Sequence, residues 1–481
     1  MMTDLEQISK YIDARRDRIL AANDAIHDLA ELSYEETQSA KVLTDILREE
    51  GFRVEEGLAG MPTCFTGTWG EGSPVMGILG EFDALDKLSQ ESGCTVHKPL
   101  KEGAPGHGCG HCCLGTGALA AAIAVKDYLR ENDLPGTIIY YGCPAEEGAG
   151  AKQFMARAGL FDGVDFVYTW HPSTVNEVSG SSSNAIMGAN FAFFGRTSHA
   201  GGSPWLGRSA LDAAELMSVG CNYLREHILD GERIHYAYAD AGGGAPNVIP
   251  DYARVKYEVR SPRVADLTKL FDRVVKVAQG AAMMTETRME YEVTMAFSDS
   301  LNNTVLAKIA SDCLEEVGAP DWDEKDFSLA KAYLNSYDSD TLEGIKNGLR
   351  RRFILQEQDL ASILERPLHT GVFPYGGITG EVEGGSTDVG DVTYTVPTCE
   401  IHVATACLGN IGHTWQMAGQ AGSSIGHKGL LTAARAIALS CIRTMQQPEK
   451  IALAKEETLA RNGGHYVCPL PDSVQPPVGR Y

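Results

Sequence analysis

Three short apolar runs in the first 180 residues each end in a polar, glycine-rich turn. Val75–Leu79 runs into Gly80-Glu-Phe-Asp83, Thr137–Tyr141 into Pro144-Ala-Glu-Glu-Gly148, and Phe166–Trp170 into His171-Pro172. Between them the alanine-rich stretch Gly115 to Leu129 predicts a buried helix. Buried strands alternating with helices predict an α/β sheet, in which ligands gather at the carboxyl ends of strands. Residues 1–60 predict two helices. Ser33-Tyr-Glu-Glu36 reads as a capping box with Ser33 at the N-cap, ahead of an apolar face on Ala40, Leu43, Ile46 and Leu47 that stops at Gly51.

The pattern changes near residue 185. Ala185–Phe194 predicts a strand and Arg208–Glu226 an amphipathic helix. Ile234–Ala239 and Tyr252–Arg260 predict two strands around Gly242-Gly-Gly-Ala-Pro246. Val264–Met284 predicts a helix and Arg288–Phe297 a closing strand. This is a β-α-β-β-α-β unit inserted in a larger α/β domain. The expected division is 1–187, 188–298 and 299–481, the first and last parts forming one domain. Residues 320–380 read as irregular and charged, and no internal repeat or low-complexity tract is present.

Composition narrows the class. The 481 residues are 43% hydrophobic and 22% charged, ample for two or three soluble domains. No apolar run of about 18 residues is read along the chain, so no membrane span is expected. The charged N-terminal stretch lacks the apolar centre of a signal peptide, which predicts a cytoplasmic protein. The net charge of −23 argues against nucleic acid and anionic membranes as partners. An anionic substrate would need a local cluster of cationic groups. Most of the twelve cysteines read as small buried hydrophobes in a reducing compartment.

The exception is His107-Gly-Cys-Gly-His-Cys-Cys113. Cys109 and Cys112 spell a redox dithiol, while Cys109 and His111 make half of a metal site. Metal chemistry needs N, O and S donors converging from several strands. The strand ends supply Cys109 and His111, Glu146 and Glu147, and His171, with His413 or His427 further on. Neighbouring side chains diverge at a strand end, so one carboxylate of Glu146-Glu147 can bind metal while the other serves as general base. The dithiol reading is the weaker one: glycine precedes Cys109, and a zinc ribbon would need a second cysteine pair.

The segments "GHGCGH", "PAEEGAGA", "TWHP", "GRTSHAGGSP" and "GGGAPNVIPD" resemble the motifs of the dinuclear metallo-aminoacylases and carboxypeptidases, in the branch of hippurate and indole-acetyl-amino-acid hydrolases. "HTWQ", "SIGHKG", "STDVGDV" and "CPLPDSV" resemble, more narrowly, a subgroup acting on aminobenzoyl-amino acids, whose members can work beside a homologous partner subunit. The resemblance covers almost the whole chain. It implies a mixed-sheet catalytic domain with helices on both faces, interrupted by a ferredoxin-like lid that dimerises. It implies two divalent metal ions, manganese or zinc, on Cys109, His111, Glu147, His171 and His413, with His427 the alternative last ligand. It implies Glu146 as general base, His199 as donor to the oxyanion, and Asn247 and Arg260 as holders of the substrate carboxylate. The implied substrate is an anionic amide, an N-acyl or aminobenzoyl amino acid such as a glutamate conjugate. One departure stands out: Cys112 occupies a position where the branch carries aspartate, so a carboxylate behind the ligands is expected from Asp83 instead. Asp388 is expected close by in a supporting role. A non-catalytic partner subunit is the rival expectation of a different class.

Overall fold

The computed structural model describes residues 2–352 and 363–479. Among these residues the strands form two sheets. The larger contains β1 (Arg53–Glu56), β2 (Phe65–Glu71), β3 (Val75–Glu81), β4 (Gly136–Cys143), β5 (Phe166–Ser173) and β6 (Glu177–Val178). The smaller contains β7 (Ala185–Phe194), β8 (Arg233–Asp240), β9 (Tyr252–Ser261) and β10 (Arg288–Phe297). The last strand, β11 (Thr398–Ala404), returns to the larger sheet. The larger sheet runs β1-β2-β4-β3-β5-β11-β6. Its four central strands are parallel, and antiparallel pairs close both ends. The expected α/β class with a mixed sheet is what the chain adopts.

The strand period of two divides the core. Phe166, Tyr168 and Trp170 of β5 face one side, with Met76 and Ile78 of β3, against the helices His111–Glu131 and Ser424–Met445. Val167, Leu79 and Tyr141 face the other side, toward the helix Lys152–Arg157 and the core of the smaller sheet. Side chains are buried on both faces, which is why these strands read as continuous apolar runs.

The smaller sheet has the order β10-β7-β9-β8. The helices Ala210–Leu224 and Val264–Thr285 pack on it, giving the expected β-α-β-β-α-β succession.

Four readings of the sequence need correction. The first 60 residues form three helices, Asp4–Asp13, Arg16–Leu29 and Thr37–Glu49, because the chain leaves helical geometry at Arg15, whose guanidinium pairs with Glu50 and Asp127. Ser33 is not an N-cap: the helix starts at Thr37, and the Ser33 hydroxyl donates to Asp83. The helix His111–Glu131 is long and apolar enough to span a membrane, contrary to the expectation, but that apolar stretch is buried in the core. Residues 320–380 are less irregular than expected, carrying the helices Glu324–Leu334 and Ser339–Arg352. The first begins in a capping box of Asp323 and Asp326, and its Ala330 and Tyr333 join Leu368, Cys407 and Ile425 in a separate small core. The part of this region at 353–362 lies outside the described residues.

Behind that small core, buried His369 accepts a hydrogen bond at Nδ1 from the Asn176 backbone N–H (3.0 Å). Burial lowers its pKa from 6.5 to about 4. The folded chain holds it neutral, whereas the unfolded chain protonates it below about pH 6.5. The stabilisation is therefore complete above pH 6.5 and is lost as pH falls toward 4, by up to about 3 kcal/mol. Urea unfolding of wild type and His369→Gln between pH 7 and 4 checks this: the difference between them should shrink as pH drops.

Candidate active site

The polar turns after β3, β4 and β5 meet around one cleft of about 310 Å³, lined by Cys109, Glu146, Glu147, His171 and His413 among others. Gly110 lies between Cys109 and the helix that begins at His111. Its φ of +83° is left-handed, and a Cβ there would stand 2.9 Å from Met417 and 3.0 Å from Pro172. Glycine is what lets the chain turn from the thiol into the helix at this spot.

Two further residues hold backbone that L-amino acids rarely adopt: Ala145 with φ +60° and His413 with φ +57°. Such geometry persists where surrounding contacts over-determine it. The Ala145 N–H donates to buried Glu36 (2.8 Å), which also accepts from Tyr34 N–H (2.9 Å) and Thr63 Oγ (2.9 Å). Glu36 stands at the N-cap of the helix Thr37–Glu49, but its carboxylate makes no cap hydrogen bond and instead holds the turn that presents Glu146. Burial, with the Asp83 charge beside it, pushes its pKa up to about 8. The His413 N–H donates to the Gly108 carbonyl (2.8 Å), tying that loop to the Cys109 turn.

The donor atoms fall into overlapping groups. Those of Cys109, His111 and His171 lie within 4.8 Å of one another, as do those of Cys109, Glu147 and His413. Cys109 Sγ belongs to both and stands 3.5 Å from His171 Nε2. A third group, Glu81, His111 and Glu146, adjoins them. The Nδ1 of His111 donates to Asp83 Oδ1 (2.8 Å), which turns Nε2 inward. Asp83 also accepts from the Glu147 N–H (2.9 Å). It therefore contacts two of the candidate ligands. Cys112 itself is buried in the apolar core.

Among the described residues, buried His111 Nε2 and Glu81 Oε2 stand 3.3 Å apart without a well-formed hydrogen bond, and buried Glu147 Oε1 has only the His413 imidazole at 3.3 Å. Unmet polar atoms at this depth cost too much to be incidental, and the mix of thiol, imidazole and carboxylate suits divalent cations. The residues present fit a dinuclear centre.

Charge divides the two adjacent glutamates. Burial and the nearby carboxylates of Glu81, Glu147 and Asp388 raise the pKa of Glu146 well above the usual range. Burial also acts on Glu147, but the hydrogen bond from His413 and the charge of His111 outweigh it and hold its pKa at about 2. Burial and the Glu147 charge push the Cys109 thiol up.

Reading the sequence missed Lys152 and Glu81. The Lys152 ammonium is fully buried and sits 2.6 Å from both Glu81 Oε1 and Asp388 Oδ1. Asp388 also accepts the backbone N–H groups of Ala151 and Lys152 (2.8 and 2.9 Å), so it anchors the turn that follows Glu146-Glu147. Removing the cation strands two buried carboxylates, so Lys152→Met should lower stability by about 3–5 kcal/mol. Urea unfolding checks this, and an unchanged midpoint would show that the pair contributes nothing.

The remaining candidates lie elsewhere. His427 is inside the helix Ser424–Met445 and pairs with Asp24 (2.6 Å). Arg260 reaches the rim of the cleft, where its guanidinium donates to the Gly384 carbonyl (3.1 Å) and Ser386 Oγ (3.4 Å). His199 and Asn247 are exposed on two paired loops, the Ala200 N–H donating to the Asn247 carbonyl (2.9 Å), and neither lines the cleft. Glu400 and His402 do line it and were also missed, although the alternation in Cys399-Glu-Ile-His-Val403 marks them as one face of a strand.

An α/β sheet with this donor set at its strand ends defines a metallopeptidase-type amidohydrolase. The chain belongs to peptidase family M20/M25/M40, whose pattern it matches over residues 77–331. It is 38% identical to the B subunit of p-aminobenzoyl-glutamate hydrolase from Escherichia coli, over 98% of this chain and 99% of that one. It is 32% identical to the A subunit of the same hydrolase from the same organism, over 46% of this chain and 53% of that one. Its fold is similar to that of a dinuclear metal binding peptidase of the M20 family from Bacillus subtilis, with TM-score 0.57 and 16% identity over 90% of this chain and 99% of that one.

Proposed function

We propose that this protein hydrolyses the amide bond of an aminobenzoyl or N-acyl amino acid, with p-aminobenzoyl-glutamate the first substrate to test. The observation that carries the reading is that Cys109 Sγ belongs to two donor groups at once, one with His111 and His171 and one with Glu147 and His413. Two divalent cations held there, manganese or zinc, would supply Lewis-acid polarisation of the amide carbonyl. Glu146, beside both groups and held by the Glu36–Ala145 contact, takes a proton from the attacking water and passes it to the leaving amine. Asp83 fixes the ring of His111, and Lys152 with Asp388 holds the turn that carries both glutamates.

Arg260 at the rim offers a forked donor to the substrate carboxylate. His199 and Asn247 point to solvent within one chain, so they would serve the oxyanion and carboxylate of a second copy, in a homodimer joined through the smaller sheet. Residues 188–298 then act as lid and dimerisation unit, between the two parts of the catalytic domain at 1–187 and 299–481. A homologous A-type subunit is the alternative partner, suggested by the similarity to both subunits of the Escherichia coli hydrolase.

The test is release of p-aminobenzoate and glutamate by protein loaded with manganese or zinc, alone and with an A-type subunit, and its suppression by a chelator. No release under any of these conditions, with two metals bound per chain, would sink the proposal.

A further inference from the structure

Glu81 takes no part in the hydrolysis proposed above, yet the fold sets it among the donors. It ends β3, Asp83 follows two residues later, and both carboxylates meet the ring of His111. Asp83 Oδ1 accepts the N–H of Nδ1 (2.8 Å), so the lone pair of the imidazole lies on Nε2. Glu81 Oε2 faces that nitrogen from 3.3 Å, and both atoms are buried without a well-formed hydrogen bond. Two acceptors opposed at this depth are costly, and a cation shared between them reconciles them.

Lys152 decides which oxygen of Glu81 does this. Its ammonium holds Oε1 at 2.6 Å, which leaves Oε2 turned to the imidazole. The spacing also suits a shared cation. Ligands about 2.0–2.2 Å from one ion, at octahedral or tetrahedral angles, lie about 3.0–3.5 Å from each other. The Glu81–His111 separation of 3.3 Å falls in that range, beside 3.3 Å for Glu147–His413 and 3.5 Å for Cys109–His171. The rival arrangement is an imidazolium shared by Asp83 and Glu81, which would withdraw His111 from metal binding.

We infer that Glu81 is a further protein ligand, binding through Oε2 the cation that His111 binds through Nε2. Lys152 is then a positioning residue that keeps Glu81 to one oxygen. The inference rests on the two-metal reading above and adds a donor that none of the sequence motifs supplies.

The test is chelator competition and visible absorption of cobalt(II)-loaded protein for wild type, Glu81→Gln and Glu81→Ala. Glu400→Gln serves as a control for charge alone, because Glu400 lines the cleft but belongs to none of the donor groups. Glu81→Gln keeps the side chain's shape and can still meet Lys152 through its amide oxygen, so its metal-free unfolding midpoint should stay near wild type. Losing a residue that merely supports a ligand typically costs about 10–100-fold in metal affinity. Both Glu81 variants should lose more than that for one cation, and at saturating cobalt their absorption bands should shift and change intensity as a donor atom leaves. Glu400→Gln should lose about tenfold or less and keep the wild-type spectrum. A wild-type spectrum in both saturated Glu81 variants overturns the proposal, as does an equal loss of affinity in Glu400→Gln. Either result leaves the two-metal reading standing. Wild-type protein that binds no cation defeats that reading and the inference together.

Discussion

Glu146→Gln will lower kcat on the preferred substrate by about 10²–10⁴, the range for losing a positioned general base, while leaving metal content and the unfolding midpoint near wild type. Glu146 is flanked by carboxylates on Glu81, Glu147 and Asp388. A neutral amide of the same shape relieves that repulsion, so the fold should not suffer. The measurement is steady-state kinetics beside metal analysis of the same preparation. A variant that keeps full turnover would remove Glu146 from the mechanism. A fall in bound metal matching the fall in activity would make it a ligand and not a base.

Cys109→Ser will release metal. Its sulfur is common to both donor groups, so one substitution disturbs two cation positions. A serine hydroxyl is a far poorer ligand for zinc than a thiolate and remains protonated near neutral pH. About two metals per chain are expected in the wild type after reconstitution and desalting, and one or fewer in Cys109→Ser, with activity reduced at least in proportion. The same experiment decides between the two meanings of the His107–Cys113 segment. Wild-type protein that binds no metal and instead joins Cys109 to Cys112 in a reversible disulfide would return it to redox chemistry. The burial of Cys112 among apolar side chains argues against that outcome.

Much of this was legible in one dimension. Apolar runs of strand length marked β3, β4 and β5, and the polar residues that follow each marked the turns at their carboxyl ends. The succession from Ala185 to Phe297 was readable element by element, because each of its periods is local. The misreadings have a shared cause. Ser33 and Glu36 have the spacing of a capping box, but both are drawn away by partners distant in sequence, Asp83 and Ala145. Lys152 looks like a solvated lysine after a glycine-rich turn until the sheet brings Glu81 and Asp388 against it. Glu400 and His402 sit in an ordinary alternating strand, and only the pairing of β11 with β5 sets them beside His171.

The sequence by itself determined which residue types stand at each strand end and the order of helices and strands, because backbone periodicity and turn chemistry are short-range. Only the tertiary structure decided which donors meet. His413 reaches Cys109 and Glu147 because its backbone is tied to Gly108, while His427 is turned along a helix to Asp24. Convergence of groups so far apart in the chain is a property of strand order, which no local pattern encodes. Tertiary structure likewise left His199 and Asn247 outside the cleft, because their loops belong to the smaller sheet and pair with each other.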